Sequence, residues 1–410
     1  MEKKRFLLII MTLIYIAFGL VTSVIGVIID KFQIQYNVSL QVAAFLPFAF
    51  YLAYGLFSIP FGLQADNISV KSVLFTGMIL LTIGCIFLYL SSNYVVIIGM
   101  IFLIGIGVTA LQTAGNPFIR ELDTQSKYTA NLTIVVGIGG LGYAFSPLLV
   151  PIIQAAGFTW NTVYLIFGMI SLILLLLLMT VKFPEVTVLE EEKIQTQTIS
   201  KLLKNKILLT YVLGIFLYVG GEVGTSSYIV LFLSKMHNIS SNYTLWSIDS
   251  FWYSVFPSVT ALIVALFWLF QAFGRFIMGW LMKYYRPKPI FIIHSAGTCI
   301  SLLFAIFGSK EVSLVVFVLV GYFTSVSFTS IFSGAIQSFD KYQGTISGIL
   351  CTAIVGGALL GFLVGFLGDK INLRVGMMLN FAAFFYVFLL SVFGKGNVNG
   401  EPLKWLRVQL

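Results

Sequence analysis

Twelve apolar runs decide what this chain can become. They lie at about 6–30, 42–65, 71–91, 94–120, 129–156 and 160–182, then at about 206–233, 257–282, 288–308, 312–336, 343–368 and 374–394. Most match the roughly 20 residues that a helix needs to cross the hydrocarbon of a bilayer. Inside lipid the backbone must satisfy its own hydrogen bonds, which leaves helices or a closed barrel, and runs of this length select helices. The expectation is an all-α integral membrane protein of twelve spans. A polar stretch carrying Glu190, Glu191 and Glu192 divides them. The predicted organisation is a six-helix bundle over 1–182, a cytoplasmic linker over 183–205, a second bundle over 206–394 and a cytoplasmic tail over 395–410.

Composition agrees, with 59% hydrophobic and 10% charged residues against about 25% charged in soluble domains. Soluble enzymes, soluble binding modules and disordered regulators are excluded. The first run follows Met1 to Arg5 like the start of a signal peptide. Its apolar stretch to Ile29 is too long for one and lacks a small-residue cleavage site, so it reads as a retained helix. Cys85, Cys299 and Cys351 each sit inside an apolar run, so neither a disulfide framework nor a metal-binding pair is legible. No nucleotide-binding glycine loop occurs, and the cytoplasmic segments are too short for an ATPase. Active transport must then draw on an ion gradient, with no cofactor beyond a co-transported proton or sodium ion.

The net charge of +9 reports orientation, not a nucleic-acid partner. With a cytoplasmic N-terminus, 19 of the 24 basic residues fall on the inner side, as the excess of Lys and Arg in cytoplasmic loops requires. Both termini and the linker are therefore predicted in the cytoplasm of a cell whose plasma membrane, a bacterial inner membrane, holds a monomeric multi-pass protein. The halves also repeat. Gly62 precedes Lys71 and Gly279 precedes Lys288 by the same spacing, at matching places in the two halves, which is a parallel repeat about an axis along the membrane normal.

Embedded polar groups mark candidate chemistry, because each is costly in hydrocarbon. Glu222 is the acidic residue placed near the middle of a span. Its neighbours Gly220, Gly221, Gly224, Thr225 and Ser226 suggest a locally unwound helix that offers oxygens to a cation. Glu222 is expected to couple transport to a proton, or to a sodium ion held near Glu222 and Thr225. Gln112 and Asn116, four apart, share a helix face and present two amides suited to the hydroxyls of a sugar. Pro117 should kink that helix. Tyr218, Trp268, Gln271 and Tyr322 complete the expected binding set, through ring faces and polar tips. Arg275 is expected at the inner helix end and His294 as a packed ring. Gly62, Asp66 and Lys71 form an expected inner-face lock, in which Asp66 accepts from one helix N-terminus and Lys71 caps a C-terminus.

The loop from Gly62 to Lys71 resembles the signature of the major facilitator superfamily. The runs QTAGNPF, YVGGEVGTSSYI, FSIPFG, GRFIMGWL and GTISGILCTAIVGGALLG resemble the fucose–galactose–glucose permease group within it, over most of the chain. That resemblance implies a major facilitator fold of two bundles, a central sugar site and symport with protons or sodium. Two departures set the chain nearer the glucose and galactose branch. The first helix, at Thr22 to Gly26, lacks the aspartate of fucose permeases, and Gln112 stands where they carry a glutamate. The expected function is import of a neutral monosaccharide by alternating access. Uncoupled sugar uniport and export of amphiphilic drugs are the alternatives.

Overall fold

In the computed structural model the described residues are 2–38, 42, 45–122, 127–181, 183, 196–239 and 259–400, and all their regular structure is helical. Most of the linker, with Glu190, Glu191 and Glu192, and the tail from residue 401 lie outside that set. Twelve helices are long and apolar enough to cross a membrane, from Phe6–Ile25 to Leu373–Phe393. Polar residues start several of them. Ser69 accepts from the backbone N–H of Ser72 at 3.1 Å to begin span three, Val70–Leu90. Asn205 accepts from Ile207 and Leu208 to begin span seven, Lys206–His237. Each such cap satisfies N–H groups that the first turn leaves unpaired.

Span one packs on span five, and span four on spans two and three; in the second half span seven packs on eleven and twelve, and span ten on eight and nine. The halves meet where span two lies along span eleven and span five along span eight. Small residues permit these crossings. A Cβ on Gly62 of span two would strike the carbonyl of Gly344 in span eleven, and one on Gly137 or Gly140 would meet Arg275 or Ala272 of span eight. Gly139 and Gly142 lie equally close to the backbone of span one.

The crossings are locked at the face that carries the linker. Asp66, at the end of span two (Phe45–Asn67), accepts from the N–H groups of Gly344 and Thr345 at 2.9 and 2.7 Å and from the Thr345 hydroxyl at 2.7 Å. Carboxylate and helix N-terminus attract through the helix dipole. Arg120 does the converse, donating to the carbonyls of Ile336 and Phe339, at and beyond the end of span ten, at 3.1 and 3.4 Å. The chain after span twelve joins them. Thr129 of span five donates to the carbonyl of Val398 at 3.1 Å, and Gln337 to that of Asn397 at 3.2 Å. At the opposite face, among the described residues, the later part of span eleven, Gly356–Lys370, touches span two far less than Gln343–Thr352 does. Spans two and eleven close on the linker side and part on the other.

Two spans are interrupted. Span ten runs as Lys310–Thr324 and Ser327–Ile336, and span eleven as Gln343–Thr352, one turn of 3-10 helix at Ala353–Val355, and Gly356–Lys370. In span ten the Thr324 hydroxyl bonds back to the carbonyl of Gly321 at 2.8 Å, and Ser325 N–H bonds to Tyr322 at the tighter three-residue spacing. Hydroxyl side chains compete with the helical ladder in this way.

Candidate functional site

Between the halves, about half-way along the spans, a cavity is lined on one side by Tyr51, Tyr54, Gln112 and Tyr143 and on the other by Glu222, Trp268 and Arg275. Span four, Tyr94–Leu122, supplies the amide. Tyr54 donates to Gln112 Oε1 at 2.7 Å, and the Gln112 Nε2 donors carry no bond among the described residues. One turn on, Asn116 is fully buried: Tyr15 donates to its Oδ1 and Tyr128 to its backbone carbonyl at 2.9 Å, while its Nδ2 has no partner among the described residues. The two amides share a face as their spacing predicts. Only Gln112 reaches the cavity, with Asn116 behind the Tyr15 ring.

Pro117 is carried within the helix. Proline lacks the N–H that would bond the carbonyl four residues back. That carbonyl, of Thr113, instead accepts from Ser347 of span eleven at 2.6 Å. The missing donor is thereby turned into a contact between the halves.

Glu222 stands at the middle of span seven and gathers donors on one oxygen. Tyr218, one turn earlier, donates to Oε1 at 2.5 Å; Gln271 of span eight, Val259–Leu281, donates to the same atom, and Arg275 Nη2 lies 3.5 Å from it. Arg275 Nε also donates to the carbonyl of Ser325 at 3.2 Å, one of the backbone groups left free where span ten is interrupted. Glu222 Oε2 has no protein hydrogen bond among the described residues. A buried carboxylate and guanidinium of opposite charge in contact form a pair whose net charge is zero.

Several expectations need correction. Arg275 is not at an inner helix end; four residues from Gln271, it shares that residue's face and points into the cavity beside Glu222. Span seven is not unwound around Glu222. Its glycines are filled by neighbours: a Cβ at Gly221 would meet the Phe384 ring at 3.1 Å, and one at Gly220 would meet Leu360. The interruption that frees backbone oxygens falls in span ten. Tyr322 is turned away from the cavity, two residues and so about half a helical turn from Thr324, and its ring packs 5.3 Å from His294. Lys71 caps no helix among the described contacts; its Nζ lies over the rings of Phe75 and Phe183 at 5.6 and 5.9 Å.

Trp268 stacks on Tyr143 across the two halves, with ring centroids 5.7 Å apart and planes 22° from parallel. Tyr218 and Gln271 lie beneath the cavity and hold Glu222. Thr225, one turn above Glu222, is buried with its hydroxyl unpartnered among the described residues. Tyr15 and Tyr143 were missed from sequence. Among nineteen tyrosines, nothing but their helical spacing to Thr22 and Gly139 distinguishes them.

The profile of the Major Facilitator Superfamily matches residues 11–256. The chain belongs to that superfamily. It is a transporter and not an enzyme. Its relatives include a glucose/galactose transporter of Brucella abortus biovar 1 (strain 9-941), 26% identical over 414 residues that cover 96% of this chain and 95% of the relative. An L-fucose-proton symporter of Escherichia coli (strain K12) is 22% identical over 401 residues, covering 90% and 88%. The ranking agrees with the motif reading, which set this facilitator nearer the glucose and galactose branch. The crystal structure of the Escherichia coli fucose:proton symporter superposes with a TM-score of 0.80 at 20% identity, covering 95% of this chain and 99% of that one. A second structure of a superfamily transporter, in the outward conformation, gives 0.79 at 20% identity, covering 94% and 98%.

Proposed function

We infer that this facilitator imports a neutral hexose across the plasma membrane of a bacterium, with both termini in the cytoplasm, and that Glu222 couples the movement to a proton or a sodium ion. The observation that carries the reading is the pairing of unspent polar capacity in one cavity. Gln112 Nε2 can donate and Glu222 Oε2 can accept, beside the Trp268 and Tyr143 rings. Sugars are bound by that combination of polar donors, acceptors and apolar ring faces, and such a site rejects analogues lacking a hydroxyl because its own groups are then left unpaired. Arg275 compensates Glu222, so the cavity favours an uncharged substrate. The curated relatives named for glucose, galactose and fucose support the same substrate class.

In this reading the two six-helix bundles rock about the site, and the Asp66, Arg120 and tail contacts on the linker face must part before sugar reaches the cytoplasm. Cation arrival at Glu222 weakens its hold on Arg275 and favours the loaded, occluded form. A ligand drives such a change only through unequal affinity for the two orientations. Counterflow of labelled hexoses into proteoliposomes tests the substrate class. Exchange of glucose or galactose, blocked by excess unlabelled sugar, is expected; exchange of amphiphilic cations without hexose would contradict it. One observation favours uncoupled uniport as the second reading: Arg275 already supplies a permanent countercharge to Glu222.

A further inference from the structure

A second cleft lies on the outer flank of the second half, where span seven begins and span twelve ends. Its volume is about 370 Å³, and Ile207, Leu389, Leu390 and Phe393 give it apolar walls, with Lys206 and Lys395 at its rim. That size falls within the roughly 300–1,000 Å³ of small-molecule sites. Two more lysines precede it in the chain. Lys201 and Lys204 are exposed on the helix Thr196–Lys204, which buries Leu202 and ends two residues before Lys206. Among the described residues none of the four lysines has a carboxylate partner.

We propose that this cleft binds one anionic phospholipid, its phosphate between Lys206 and Lys395 and an acyl chain along Leu389 and Phe393. A cluster of like charges without a counterion favours an anion. The exposed apolar wall specifies that the anion carries a hydrocarbon chain, since Leu389 and Phe393 face outward from the bundle. Basic groups between helices at the cytoplasmic level recognise anionic headgroups in this manner. The cleft is also built to keep its shape. Tyr386 donates to the carbonyl of Thr210 at 3.1 Å between spans twelve and seven, and the Tyr211 hydroxyl accepts from the N–H of Gly396 at 3.1 Å, which fixes Lys395. The same segment continues to Val398 on Thr129, so a lipid seated here steadies the strap that ties the tail to the first half.

The test is native mass spectrometry and thermal unfolding of the full chain in detergent with added phosphatidylglycerol, phosphatidylcholine or inorganic phosphate. Phosphatidylglycerol should bind and raise the unfolding temperature more than phosphatidylcholine, and inorganic phosphate should do neither. Affinity should fall about fivefold for each lysine removed in Lys206→Gln and Lys395→Gln, with hexose counterflow in neutral liposomes preserved to show that the variants fold. Leu389→Gln should weaken binding without changing charge. Equal response to both lipids, an equal response to inorganic phosphate, or a phosphatidylglycerol preference that survives in the double lysine variant would overturn the proposal.

Discussion

Glu222 and Arg275 carry the heaviest electrostatic constraint in the molecule. Removing one partner of a buried ion pair leaves the other charge uncompensated, a penalty of about 3–5 kcal/mol. Arg275→Ala is therefore expected to lower the unfolding temperature sharply, and Arg275→Ala with Glu222→Gln to recover most of the loss. Fluorescence-detected thermal unfolding reads both. Gln112→Leu should weaken sugar binding about fivefold, since it deletes one donor to substrate worth about 1 kcal/mol. Isothermal titration measures that change.

At the scale of elements, the apolar runs were plainly legible, because a helix in lipid needs length and hydrophobicity and little else. The interruption of span ten was not. Glycines in span seven looked like a break, yet they serve close packing against Leu360 and Phe384, whereas the Thr324 hydroxyl in span ten competes with the backbone itself. Arg275 was misplaced for a related reason: sequence position gives depth along a helix but not the neighbour opposite, here Glu222. Pro117 and Ser347 illustrate a coupling across elements that no local pattern announces. Ser347→Ala leaves the Thr113 carbonyl buried without a donor, a loss of about 1–3 kcal/mol. In a Pro117→Ala background the restored N–H takes that carbonyl, so Ser347→Ala should then have little effect, and a double-mutant cycle of unfolding temperatures should show the coupling.

For the whole molecule, the linker face is the closed gate, and Asp66 joins span two to the start of span eleven there. Cys351 lies fully buried in span eleven and serves as a native reporter of that closure. With Cys85 and Cys299 replaced by serine, Asp66→Ala should speed maleimide labelling of Cys351 several-fold, and unchanged labelling would argue that other contacts hold the gate. The central claim is that a carboxylate in the cavity converts a cation gradient into sugar accumulation. The most direct measurement is hexose uptake by proteoliposomes under an imposed proton or sodium gradient, comparing wild type with Glu222→Gln. The account predicts that wild type concentrates sugar above the external level, while the variant exchanges sugar in counterflow but only equilibrates it. Undiminished accumulation by Glu222→Gln, or equilibration alone by wild type under both gradients, would contradict it.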